Sequence, residues 1–133
     1  MKKYHLLSTA LGAALLAGPL TQATGAVEEA DFNFNSTMDL YEICSVDSNH
    51  PDFVPATYAC RGFIEGSVQY HDAVTDKKNV KRLICYGKGT TLKEGRNAFL
   101  DWVRSNKDNE ELMAELPVIG LVRALAKKYP CSQ

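Results

Sequence analysis

The sequence has little with which to do chemistry. It holds three histidines and four cysteines in 133 residues, with no C-x-x-C pair and no cysteine pair near His50 or His71. Zinc sites and thioredoxin-like redox sites need closely spaced thiols or histidines, so neither fits. No glycine-rich phosphate loop follows a strand pattern, and Gly87-Lys-Gly89 is too short to serve as one. Excess positive charge is lacking as well. Setting aside Lys2 and Lys3, the chain has 13 basic residues against 16 acidic ones, a balance of −3. That argues against nucleic acid or an anionic membrane as the main partner. Catalysis would need a nucleophile, base or metal in a held geometry, and the carboxylates are scattered. The residues point to no enzyme and no cofactor.

Long apolar runs are also scarce. The longest, Leu6 to Leu20, follows Lys2 and Lys3 and precedes the small residues Ala23-Thr24-Gly25-Ala26. Basic, then apolar, then small is the pattern of a secretory signal, and the run is short for a membrane span. Residues 1–26 are therefore read as a cleaved signal peptide, with no membrane insertion of the product. Cleavage after Ala26 leaves 107 of the 133 residues, enough for one small domain. Residues 27–36 read as an acidic, flexible lead-in carrying Phe32 and Phe34. The Asn35-Ser36-Thr37 sequon is treated as chance, because the short Lys-Lys signal looks bacterial.

Four cysteines in a small exported domain read as two disulfides. The apolar spacing reads as helix almost throughout, so residues 37–133 are expected to form an all-α, disulfide-stabilised bundle of four to five helices. Ser36 with Asp39 starts a first helix from Thr37 to about Val46. Pro55 suits the first turn of a second helix, whose stripe is Ala56, Cys60, Phe63, Ser67, Tyr70 and Val74. Gly62 and Gly66 each weaken that helix by up to ~1 kcal/mol relative to alanine, which predicts a neighbouring helix packed closely against them. A loop from Thr75 to Gly89 follows. Thr91 and Glu94 form a capping box for a third helix ending near Ser105-Asn106. Asp108 with Glu111 repeats the capping pattern, and Pro117 imposes a kink or fresh start before the final stripe of Val118, Leu121, Val122 and Leu125. Strand signals are confined to Arg82–Tyr86.

An antiparallel pairing of the first two helices sets Cys44 beside Cys60. A helical hairpin likewise brings Cys85, ahead of the third helix, to Cys131 at the end of the last. The two other connectivities stay open at this level.

Charge is unevenly spread. Glu28 to Asp76 holds ten acids and one base, whereas Lys77 onward holds twelve bases and six acids, a polarity able to steer a charged protein partner.

Several segments together resemble a known family. They are Tyr58-Ala-Cys60-Arg-Gly62-Phe-Ile-Glu-Gly66, Ile84-Cys85, Trp102-Val103, Pro117-Val-Ile-Gly-Leu-Val-Arg-Ala124-Leu125 and the closing Tyr129-Pro130-Cys131. The chain is similar, from about Leu40 to Cys131, to the Rap/Tai family of periplasmic immunity proteins against type VI secretion amidase effectors. The resemblance implies an all-α, commonly dimeric protein of the periplasm. Such a protein binds a secreted peptidoglycan amidase and plugs its Cys–His groove, with no catalytic residue of its own. The shared motifs are structural, so they transfer no binding residue. One departure is Tyr86-Gly87-Lys88-Gly89, where relatives often carry proline soon after the third cysteine. The best partner-binding candidates are Lys77, Lys78, Lys81 and Lys88 in the Thr75–Gly89 segment, since loops on a rigid scaffold are common binding elements. The rival reading is a periplasmic chaperone or carrier of apolar ligands.

Mass spectrometry of the exported protein should find a new N-terminus between Ala23 and Ala26. A retained N-terminus in the membrane fraction would overturn the localisation.

Overall fold

The computed structural model describes residues 29–78 and 80–132; the signal-peptide reading of 1–26 lies outside them. Five α-helices account for most of the described residues: α1 (Thr37–Ser45), α2 (Phe53–Lys78), α3 (Leu92–Asn106), α4 (Glu110–Ala114) and α5 (Pro117–Lys128). No strand occurs among the described residues, and Arg82–Tyr86 is an extended connection. A short 3-10 helix, Glu29–Asn33, precedes α1. After it Phe34 takes a positive φ of 49° and sets its ring 5.1 Å from that of Phe63.

The helix starts follow from local chemistry. Ser36 and Asp39 cap α1 reciprocally, and Thr91 and Glu94 do the same for α3, each pair satisfying backbone N–H groups that a helix start leaves orphaned. At α4 the cap is Asn109, whose side chain accepts from the Leu112 N–H, rather than Asp108. Pro117 occupies the first turn of α5, so the chain makes a fresh start there. Glu94 is held below the usual carboxylate range by the Thr91 backbone N–H, then by the Thr91 hydroxyl.

α2 corrects the sequence reading at three points. It begins at Phe53, two residues before Pro55, and continues to Lys78, so Lys77 and Lys78 belong to its last turn and not to a loop. Its buried residues are Ala56, Cys60, Ile64 and Thr75, whereas Tyr70 is 73% exposed. Ile64 takes the inward place assigned to Phe63, and the stripe turns away from Tyr70. The glycines differ as well: a Cβ at Gly62 or Gly66 would meet nothing within 4 Å. No helix approaches them, and they lie on the open face of α2.

The core gathers Leu40 and Ile43 of α1, Ile64 of α2, Phe99 and Val103 of α3, and Leu121 and Leu125 of α5, all 3% exposed or less. Cys44 is bonded to Cys60, tying α1 to α2, and Cys85 to Cys131, tying the α2–α3 connection to the end of the chain. The chain-entropy estimate for the two closed loops is ~3 and ~4 kcal/mol. Arg96 of α3 donates from Nε to the Cys44 carbonyl at 2.7 Å, serving a carbonyl left free at the end of α1.

The tightest contact joins α1 to α5. Thr37 is fully buried and gives its N–H to the Glu115 carbonyl at 2.7 Å. Its hydroxyl reaches the Glu115 carbonyl at 3.1 Å and that of Leu116 at 3.4 Å. A Cβ at Gly120 would fall 2.4 Å from Thr37 Cγ2. Thr37 is branched and held by these hydrogen bonds, so it cannot swing aside. Gly120→Ala is therefore expected to destabilise the protein by about 1–3 kcal/mol through overpacking. Urea denaturation measures it, and an unchanged midpoint would show that the helices can part without cost.

Candidate functional site

Residues 80–91, in the connection from α2 to α3, form no helix or strand, yet they are held at many points. Ile84 is 1% exposed and plugs into the core. Cys85 is bonded to Cys131, and its N–H donates to the Tyr129 carbonyl at 2.9 Å. Gly89 has a φ of 87°, a backbone state that glycine reaches freely. It lies in a turn closed by the Thr90 N–H to the Gly87 carbonyl at 3.2 Å.

The last turns of α2 hold the other side. Asp72 receives Arg82 Nη2 at 2.5 Å on one carboxylate oxygen and the Tyr86 hydroxyl on the other. Arg82 Nη1 reaches Asp76 at 2.9 Å. His71 Nδ1 lies 3.1 Å from Asp72, and its Nε2 accepts the Leu83 N–H at 3.2 Å. Burial pushes the Asp72 carboxyl up, but the Tyr86 and His71 hydrogen bonds and the Arg82 charge outweigh it and hold the group below its ordinary value. Tyr86 moves the other way, raised by burial and then by Asp72.

This pinning decides what the segment presents. Lys77 and Lys78 stand exposed on the last turn of α2, Lys81 in the connection and Lys88 in the turn before Gly89. None of the four forms an ion pair among the described residues. Beside them are two apolar side chains that sequence reading did not single out, Val80 at 51% and Leu83 at 54% exposure. Their signal was an apolar residue interleaved with Lys81 and Arg82, each on a short extended stretch. The candidate lysines thus share one buttressed stretch, together with apolar groups able to anchor a contact. Arg82 is instead turned toward Asp72 and Asp76 of α2.

His50 and His71 are both engaged in hydrogen bonds to nearby backbone. His50 Nδ1 accepts the Asp52 N–H at 3.2 Å. His71 and Asp72 look like half of a catalytic dyad, but Nε2 is taken by a backbone N–H, and every cysteine is disulfide-bonded. Among the described residues no group of three metal-ligating side chains forms.

A second exposed region is apolar. A shallow groove of about 440 Å³ runs between the middle of α2 and the start of α5, lined by Phe34, Phe63, Tyr70, Leu116 and Val118 among others. Outside the groove, nearer the start of α2, Val54 at 59% and Tyr58 at 69% exposure also face solvent. A third, basic cleft of about 450 Å³ near the Cys44–Cys60 bond has Arg61, Lys93 and Arg96 on its walls.

Comparison with known families places this arrangement. A model described as Rap1a immunity proteins matches residues 36–131. The chain belongs to the Rap1a immunity protein family. The match starts at the α1 capping residue and ends on the last cysteine, so it takes in both disulfides and the whole buttressed connection, and leaves out the 3-10 helix. No curated protein and no solved structure matches the chain.

Proposed function

We propose that this protein is a periplasmic, non-catalytic immunity protein that binds a type VI secreted peptidoglycan amidase and occludes its substrate groove. The observation that supports this best is the connection between α2 and α3, an irregular segment pinned into one shape that carries exposed lysines and apolar side chains. A preformed loop gives up little conformational entropy on docking, so more of its contact energy appears as affinity. Lysines around apolar anchors suit a groove with acidic walls, and the charge accelerates encounter more than it strengthens the final complex. Family membership supplies the class of partner; the amidase target rests on the resemblance of the motifs. Two disulfides suit an oxidising compartment such as the periplasm.

A homodimer is part of this reading, and the open apolar face of α2 is the surface that favours it. The same face is what a chaperone or apolar-ligand carrier would use, and it keeps that rival in play. Isothermal titration with an amidase encoded beside the gene separates the two, because a carrier has no reason to bind the enzyme with a defined stoichiometry.

Replacing Lys77, Lys78 and Lys88 with glutamate tests the docking surface. The two helical changes also oppose the α2 dipole, at about 0.3–1 kcal/mol each, so the variant should fold with somewhat reduced stability. Its association with the amidase should slow, and inhibition should fall more at low salt than at high. Unchanged inhibition at both salt levels would move the contact elsewhere. Failure of the wild type to inhibit any neighbouring amidase would overturn the amidase reading itself.

A further inference from the structure

We propose that His71 is a positioning residue that holds the α2–α3 connection in its docking shape at neutral pH and releases it in acid. The inference rests on the proposed role of that connection, and it concerns how the same site is regulated. The side chain of His71 is 10% exposed, and both ring nitrogens are engaged. Nε2 accepts the Leu83 N–H at 3.2 Å, which requires it to be unprotonated. Nδ1 then carries the proton and points at Asp72, 3.1 Å away.

Imidazole is the side chain whose charge ordinarily changes between pH 5 and 8. Once protonated, both nitrogens are donors and neither accepts. The Leu83 N–H then faces another N–H. The contact turns from attractive to repulsive, and the backbone next to Ile84 loses its tie to α2. The added charge also competes with Arg82, 2.5 Å from Asp72, for the same carboxylate.

The titratable groups gathered around His71 are Asp72 and Asp76 from α2 and Arg82 and Tyr86 from the connection. None from α3 or α5 has a hydrogen bond or ion pair to these groups among the described residues. Asp72 stays anionic through the imidazole range, since its partners hold it below its ordinary value. It therefore keeps Arg82 and Tyr86 while His71 lets go. The connection loosens at Leu83 but stays attached at Asp72 and, covalently, at Cys85. Acid is thus expected to soften the loop rather than unfold the domain.

Three forms of the full mature protein separate this from a purely structural role: wild type, His71→Gln and His71→Ala. Glutamine offers an amide oxygen near the place of Nε2 and does not titrate, whereas alanine offers no acceptor. By NMR, the Leu83 amide of the wild type should shift in step with the His71 ring protons as pH falls from 8 to 5. Its hydrogen-exchange protection, corrected for intrinsic rates, should drop about tenfold. His71→Gln should keep protection at both ends, and His71→Ala should lack it throughout. A wild-type Leu83 amide indifferent to the His71 titration would overturn the latch, whatever the protein binds. Equal acid loss in His71→Gln would overturn it too, by assigning the change to another group. Amidase binding is the second measurement: dissociation should quicken about tenfold in acid for the wild type and not for His71→Gln. A latch that opens with no such difference would overturn its regulatory role, while loss of binding in the lysine variants would still uphold the loop as the docking surface.

Discussion

The bond between Cys85 and Cys131 is the constraint on which the shape of the proposed docking surface depends. The described residues between α2 and α3, 80–91, make no helical or strand ladder of their own. Left free, they would sample many shapes, and ordering them on a partner would consume binding energy. Linking residues 46 apart in sequence removes ~4 kcal/mol of chain freedom from the unfolded state in the entropic model. It also fixes Ile84 in the core and sets the Cys85 N–H against Tyr129. The other disulfide ties the opposite end of α2 to α1, beside the buried Ala56 and Ile64.

Between these two ties the molecule divides its labour. The interior is closed by apolar contacts from α1, α3 and α5 and by the Thr37–Gly120 crossing, which leaves no room for a methyl group. The outer face of α2 is left open, with glycines that nothing approaches. Charge follows the same division. The 3-10 helix and α1 carry Glu29, Asp31, Asp39 and Glu42, while the basic side chains gather from Lys77 onward. Burial, then the neighbouring Asp31, push the Glu42 carboxyl up. Glu42 is therefore protonated more readily than an ordinary glutamate as pH falls.

Much of the fold was legible because it is specified locally. Ser36, Thr91 and Pro117 mark three helix starts through side chains that reach only a few residues, and the antiparallel packing of α1 and α2 brings Cys44 and Cys60 together with little else to know. The misreadings concern choices that local pattern leaves open. Phe63 and Ile64 are adjacent and both apolar, and only the placement of α3 decides that Ile64 faces in. Gly62 and Gly66 look like a packing seam, but a glycine records that room exists and not that a neighbour fills it. The charges of Lys77 and Lys78 suit a loop or a helix end equally well, so local pattern does not place them. In the structure they form the last turn of α2, just after Thr75, which is buried and donates its hydroxyl to the His71 carbonyl at 2.9 Å. Of the candidate site, the lysines stand out in composition, whereas the Asp72 buttress joins residues 10 to 14 apart and has no local signature.

The account stands or falls on where the effector touches. The most direct measurement is hydrogen exchange by mass spectrometry on the protein alone and in complex with its proposed target, a secreted amidase. Protection concentrated on peptides spanning 77–88, with the outer face of α2 from Tyr58 to Tyr70 unchanged, is the result expected. Protection of that outer face with 77–88 unaffected would contradict it.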